Sequence, residues 1–306
     1  MHIGFIGMLP LILSAAVSLV LPSGLQSISL PRATAPSEAV SLGDALAAKG
    51  TTCVIFGTYP ADFNMIEYAQ RVTHYLPALK ASGVDRVLCI VNGKPTSCNL
   101  LAELVGLPSE VELLSDEAGD AGRAFGVARG WLPDTDEIEI TEELKVPVSP
   151  YAKLFGMLLG LGAGNTLPSV ITGYLGNPSG KNGWIVQALA QGQKAGRWPN
   201  IALDLDASGA VTRNAFDELP VVGGWGRRPL ELATLRLQTM LGVSLAKWDE
   251  LQPTDERCLT QLGGLLVCKD GEPVFEYKDN GICAVCDFET LVTALEGANK
   301  ASSPVA

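Results

Sequence analysis

The chain of 306 residues carries 33 Asp+Glu against 22 Lys+Arg, a formal charge of −11, and 47% of its residues are hydrophobic. That apolar content supports a packed core and excludes wholesale disorder, while the acidic balance opposes a nucleic-acid backbone instead of neutralising it. Seven cysteines are too few for a disulfide-built miniprotein and, being odd in number, leave at least one thiol outside any set of bridges.

Residues 1–31 contain no Asp, Glu, Lys or Arg, and 3–22 are almost continuously apolar, interrupted by Pro10. Residues 1–45 are expected to be a targeting presequence, acting as a signal or as signal plus transit; a retained membrane anchor and a disordered tail are the alternatives. The run 27–40 has Arg32 with no acid before Glu38, as in the transit half of a bipartite plastid presequence. Plastid import is therefore expected, with the secretory pathway as the alternative.

The body begins with a buried, β-branched strand over 51–58 (TTCVIFGT), followed by a helix over 63–79 whose apolar face is Ile66, Ala69, Val72, Tyr75, Leu76 and Leu79. A second strand over 86–91 ends at Asn92-Gly93, a helix runs from Pro95 to Val105, and a third short strand covers 111–114. Short buried strands alternating with amphipathic helices predict an α/β fold with parallel strands. Near the C-terminus, strands over 264–268 and 274–277 flank Asp270-Gly271, a hairpin signal, and a helix over 287–295 follows. This order is that of a thioredoxin-like fold with a large, mainly helical insertion. The expected domain spans 46–298, with a core of 50–126 and 258–298, an insertion of 127–257, and a flexible tail over 299–306.

Within the middle, 154–180 is a 27-residue stretch without charge, yet it holds six glycines between Gly156 and Gly176, and also Pro168. These weaken a spanning helix, so a buried or interface helix pair is one reading and membrane contact the other. A further helix over 183–193 presents Ile185, Val186 and Leu189.

Gly160-Leu161-Gly162-Ala163-Gly164 lacks the preceding strand, third glycine and later acid of a dinucleotide fingerprint, and no P-loop occurs. The only histidines are His2 and His74, and His74 sits in a predicted helix. No metal and no cofactor is expected. Cys283 and Cys286 form a C-x-x-C just before a helix, where the dipole lowers a thiol pKa; redox use, zinc binding with Cys258 and Cys268, and incidental thiols are all open. Cys53 and Cys89 fall in strands as small hydrophobes, and Cys98 in a helix. Trp225, Arg227 and Arg228 form the dense basic cluster of an acidic chain, either a carboxylate-, phosphate- or partner-binding feature or a turn paired with Asp217, Glu218 or Glu231.

Residues 53–63 (CVIFGTYPADF), 111–116 (VELLSD), 125–130 (FGVARG), 261–264 (QLGG) and 274–279 (VFEYKD), taken in order, resemble the AhpC/TSA-type peroxiredoxin-like proteins. The middle segments 173–178 (GYLGNP) and 223–229 (GGWGRRP) resemble versions from cyanobacteria and algal plastids. The resemblance implies a thioredoxin-like fold and thiol-based antioxidant chemistry, with the reactive cysteine in the loop after the first strand. Here that loop reads Tyr59, Pro60, Ala61, Asp62, Phe63 and Asn64. None of these can replace a thiolate nucleophile, and Asp62 reads as a helix cap. Two functions are expected. One is residual thiol redox through Cys283 and Cys286, with Cys258 or Cys268 resolving and a thiol reductant such as thioredoxin as partner. The other is a non-catalytic binding or assembly protein on a plastid complex, associated with a photosynthetic membrane through that partner or through 154–180.

Overall fold

The structure is a computed structural model and describes residues 19–171, 183–196, 203–206, 211–214 and 240–302. A short 3-10 turn (Ser23–Ser27) leads into β1 (Ser29–Pro31), β2 (Ala39–Ser41) and α1 (Leu42–Ala47), with β1 and β2 antiparallel. Ser41 caps α1 by accepting from Asp44 N. Leu25, Leu42 and Leu46 are fully buried, and Ala33 N–H donates to Leu113 O at 2.8 Å. These residues fall inside the expected presequence of 1–45, and in the structure they pack on the body of the protein. From Leu25 onward the chain is part of the folded core, because its leucines fill space against the sheet. Arg32, read as a transit feature, instead pairs with Glu112 and Glu38. Residues 1–18 lie outside the described residues.

All six residues of β3 (Thr51–Phe56) are buried. The strand stops at Gly57, where a Cβ would meet Met65 Sδ at 2.3 Å and Ile90 O at 2.6 Å, so only glycine fits. α2 (Phe63–Ala81) runs two residues beyond its predicted end and leads to β4 (Arg86–Val91). α3 (Pro95–Val105) starts on proline and ends at Gly106, whose φ is +68°. β5 (Val111–Ser115) and α4 (Asp120–Phe125) complete the first half.

The span expected to be a mainly helical insertion contains two small hairpins as well as helices. β6 (Glu137–Glu139) pairs with β7 (Lys145–Pro147), and α5 (Pro150–Leu158), α6 (Thr166–Val170) and α7 (Gly183–Lys194) follow. Next come the pair β8 (Leu203–Leu205) and β9 (Val211–Asn214), and then α8 (Trp248–Leu251). α7 lies on α2. The Arg71 guanidinium sits 4.6 Å from the Trp184 ring centre, and His74 Nδ1 is 2.7 Å from Gln187 Oε1. Of the charge-free stretch, Gly156, Met157 and Thr166 are buried while Phe155, Leu158, Leu159 and Ile171 are exposed. A fully buried helix pair is not what forms over the described part of it. Among the described residues no helix is long and apolar enough to cross a membrane.

β10 (Gly264–Lys269) and β11 (Glu272–Lys278) form the predicted hairpin, turning at Asp270 (φ +51°) and Gly271 (φ +88°). α9 (Phe288–Ser302) closes the chain. The central sheet has the order β11-β10-β3-β4-β5; β3, β4 and β5 are parallel, while β10 runs antiparallel to β3 and to β11. The architecture is therefore mixed α/β. Because side chains alternate along a strand, Cys53 and Ile55 face a core shared with α2, α3 and α9, while Val54 and Phe56 face one shared with α1 and α4. On that second side Phe56 stacks on Phe125 at 4.3 Å between ring centres. This sheet sets the start of α2 at one end and brings the chain entering α9 beside it.

Candidate functional site: the start of α2

The loop that the resemblance marks for a reactive cysteine is covered and tied down. Tyr59, Pro60 and Ala61 are buried, and Asp62 and Phe63 are partly exposed. Ala61 N–H donates to Leu251 O at 3.1 Å, and the Tyr59 ring meets Trp248 edge-on at 6.2 Å. Asp62 caps α2, accepting from Asn64 N at 3.0 Å, as its position in the sequence predicted. Burial pushes the Asp62 carboxyl up to about 6, against the hydrogen bond it receives from Asn64 N.

Over this start opens a cleft of about 450 Å³. Tyr59, Ala61, Asp62 and Phe63 form its floor. One wall is Tyr151, Leu154 and Leu158 of α5; the other is Leu241, Ser244, Leu245 and Trp248, with Ile282 closing one side. Among the described residues of that lining Asp62 is the sole carboxylate, and no lysine, arginine or histidine joins it. The volume lies within the range of small-molecule sites, roughly 300–1,000 Å³. Sequence reading missed these walls, although Leu241, Leu245 and Trp248 recur four and three apart, as do Tyr151, Leu154 and Leu158 at three and four. That spacing marks one helical face and was the available signal.

Beneath the floor lies a buried polar cluster joining α2 to the chain before α9. Tyr68 Oη donates to Asp279 Oδ1 at 2.6 Å, and Asn64 Nδ2 donates to Asp279 Oδ2 and to Gly281 O, both at 3.1 Å. Asn64 Oδ1 accepts from Cys283 N at 2.7 Å, and Tyr68 Oη accepts from Cys286 N at 3.3 Å. Burial raises Asp279 to about 7 even though Tyr68 and Asn64 hydrogen-bond to its charged form. Alongside, buried Glu67 pairs with Arg71 (2.6 Å), which donates to Cys286 O at 3.1 Å. Tyr68 and Arg71 carried no motif, and Asn64 and Asp279 were marked only by the family resemblance, Asn64 as part of the loop without a cysteine; that the four meet depends on contacts more than 200 residues apart.

All seven cysteines lie in described residues, and no disulfide joins any two of them. Cys283 is half-buried, with φ +62°, and Cys286 is buried two residues before α9. The lowered thiol expected at that helix start is corrected for Cys286. Burial pushes its thiol well above the ordinary range, with Cys53 and Asp279 adding to the rise and Arg71 opposing it. Cys268 faces the opposite side of the sheet from Cys286, so the sheet separates that expected resolving pair. Cys258 is buried against Glu117 O and Gly119, and burial raises it to about 12. Cys53, Cys89 and Cys98 are buried too, each raised to about 12. Trp225, Arg227 and Arg228 lie outside the described residues. Among the described residues no three His, Cys, Asp or Glu side chains cluster as metal ligands. Compared with family models, with curated proteins and with solved structures, the chain matches none.

Proposed function

We propose that this chain is a thioredoxin-like, peroxiredoxin-like protein that has given up thiol chemistry at the start of α2 and binds an apolar ligand or partner there. One observation carries the reading: the helix start that a peroxidatic thiolate would need is occupied by the capping carboxylate of Asp62, under an apolar cleft. The capping carboxylate already takes the Asn64 N–H that a thiolate there could use, and apolar walls with one polar group are the usual make-up of a binding pocket. The thioredoxin-like part draws support from the strand order, with parallel β3 and β4 linked through α2, an antiparallel hairpin on the other side of β3, and a helix after it. Plastid import belongs to the proposal, with a leader ending upstream of Leu25.

The test has two arms. Purified protein supplied with hydrogen peroxide and a thiol reductant should consume no peroxide above the reductant alone. A neutral environment-sensitive dye, N-phenyl-1-naphthylamine, should brighten on the native chain and do so much less on Leu154→Trp, which fills the cleft. Catalytic peroxide loss, or dye binding indifferent to L154W, would overturn the reading.

A second reading, thiol redox through Cys283 and Cys286, is favoured by Cys283 being the one cysteine of the seven that is not fully buried. It requires Cys283 to form a disulfide with Cys286 under mild oxidant. Mass-spectrometric thiol mapping that finds both still reduced would remove it.

A further inference from the structure

Resting on the binding reading above, we infer that the cleft selects an amphiphile with an apolar body and a cationic or hydrogen-bond-donating head, and rejects the carboxylate of equal chain length. Among the described lining residues the floor holds a single charged side chain, Asp62, and the walls supply Tyr, Ser, Trp and aliphatic groups. A helix N-terminus ordinarily attracts anions through its free N–H groups. Here one of those donors is already taken, since Asn64 N hydrogen-bonds to the Asp62 carboxylate. An incoming carboxylate would meet a like charge, with no cation among the described lining residues to offset it. An ammonium or hydroxyl head reaching the floor would gain a charge-assisted hydrogen bond to Asp62 instead.

Alkyl length is served by the walls. Leu154 and Leu158 on one side face Leu241 and Leu245 on the other, and Trp248 closes the end against Tyr59. Leu245 and Tyr151 at the rim are 63% and 72% exposed, so the mouth itself is apolar and open to a chain arriving from solvent. Burial of alkyl carbon supplies the affinity, about 0.8 kcal/mol per buried CH₂, whichever head is present. The head then decides between ligands.

The experiment displaces N-phenyl-1-naphthylamine from the full chain with decylamine and decanoate below their micelle concentrations and decanol below its solubility limit, on wild type and on Asp62→Asn. Asparagine also caps helices well, so the variant keeps its fold. Decylamine is expected to displace the dye at about tenfold lower concentration than decanoate on wild type, with decanol between them. On D62N the amine and the carboxylate should fall within about twofold of each other. Equal potency of decanoate on wild type, or an unchanged ratio on D62N, would overturn the head-group inference while leaving the cleft a binding site. No dye binding at all would overturn the binding reading, and this inference with it.

Discussion

The starts of α2 and α9 are capped alike and buried differently. Asp62 accepts from Asn64 N at 3.0 Å; Asp287 accepts from Glu289 N at 3.4 Å, Thr290 N at 3.3 Å and Thr290 Oγ1 at 2.7 Å. In each helix a carboxylate already complements the positive end. The first start lies under an open cleft, whereas the second is locked into the core by Arg71, Tyr68 and Asn64. A helix terminus contributes about 0.3–1 kcal/mol, less than one pKa unit, to a charged group beside it. Burial of Cys286 acts the other way and wins, so its thiol rises. A C-x-x-C ahead of a helix is therefore not activated by position alone; the solvent around it decides.

The contrast is broken most severely at Arg71. Arg71→Ala leaves buried Glu67 without its guanidinium and frees Cys286 O, and it should cost about 3–5 kcal/mol in urea unfolding. Glu67 is 1% exposed, which is why the loss is not recovered by water. Asn64→Ala cuts the tie between the two starts by removing the partners of Asp279, Gly281 and Cys283 N–H. A loss of about 2–3 kcal/mol is expected, with faster hydrogen exchange at the Cys283 amide than at α2 amides.

Asp279 sharpens the contrast through pH. Its carboxyl is raised from 3.8 to about 7, so the folded state holds the proton more tightly than the unfolded state does. The stability it lends is full below pH 4 and is lost as pH climbs to about 7, at up to about 1.4 kcal/mol per pH unit. Asp62, raised to about 6, acts with the same sign but is exhausted by that pH. Urea midpoints of wild type should therefore fall between pH 6 and 7, and Asp279→Asn should flatten that interval. Smallest of all, Asp287→Ala removes the cap of α9 and a 3.8 Å ion pair with Arg71 made by a carboxylate that is itself mostly exposed, and should lower stability by about 1 kcal/mol by thermal unfolding.

The sheet and its helices were legible because their signals are local. The β-branched run of β3, the proline opening α3 and the Asp270-Gly271 turn each act within a few residues, and each element appears where its residues predicted it. The Asp62 cap was legible for the same reason. The contacts among Asn64, Tyr68 and Asp279 were not, since nothing local shows that a hairpin brings residue 279 over the first turns of α2. The cleft was hidden in a further way: α5 and the segment 240–248 are each amphipathic, but nothing in one face says which other face it opposes. At the N-terminus, absence of charge was read as export, while Leu25, Leu42 and Leu46 were serving the core.

That N-terminal segment also governs what the sheet can touch. Arg32 bridges Leu114 and Ala33 donates to Leu113 O, so the outer side of β5 already has a neighbour. An edge strand with bare N–H and C=O groups is a template for pairing with other chains. A chain trimmed at residue 45 would expose that template together with the apolar surface that Leu25 and Leu42 cover, and would self-associate. That segment therefore has its neighbour only once β5 is in place, and it then acts as a guard against aggregation.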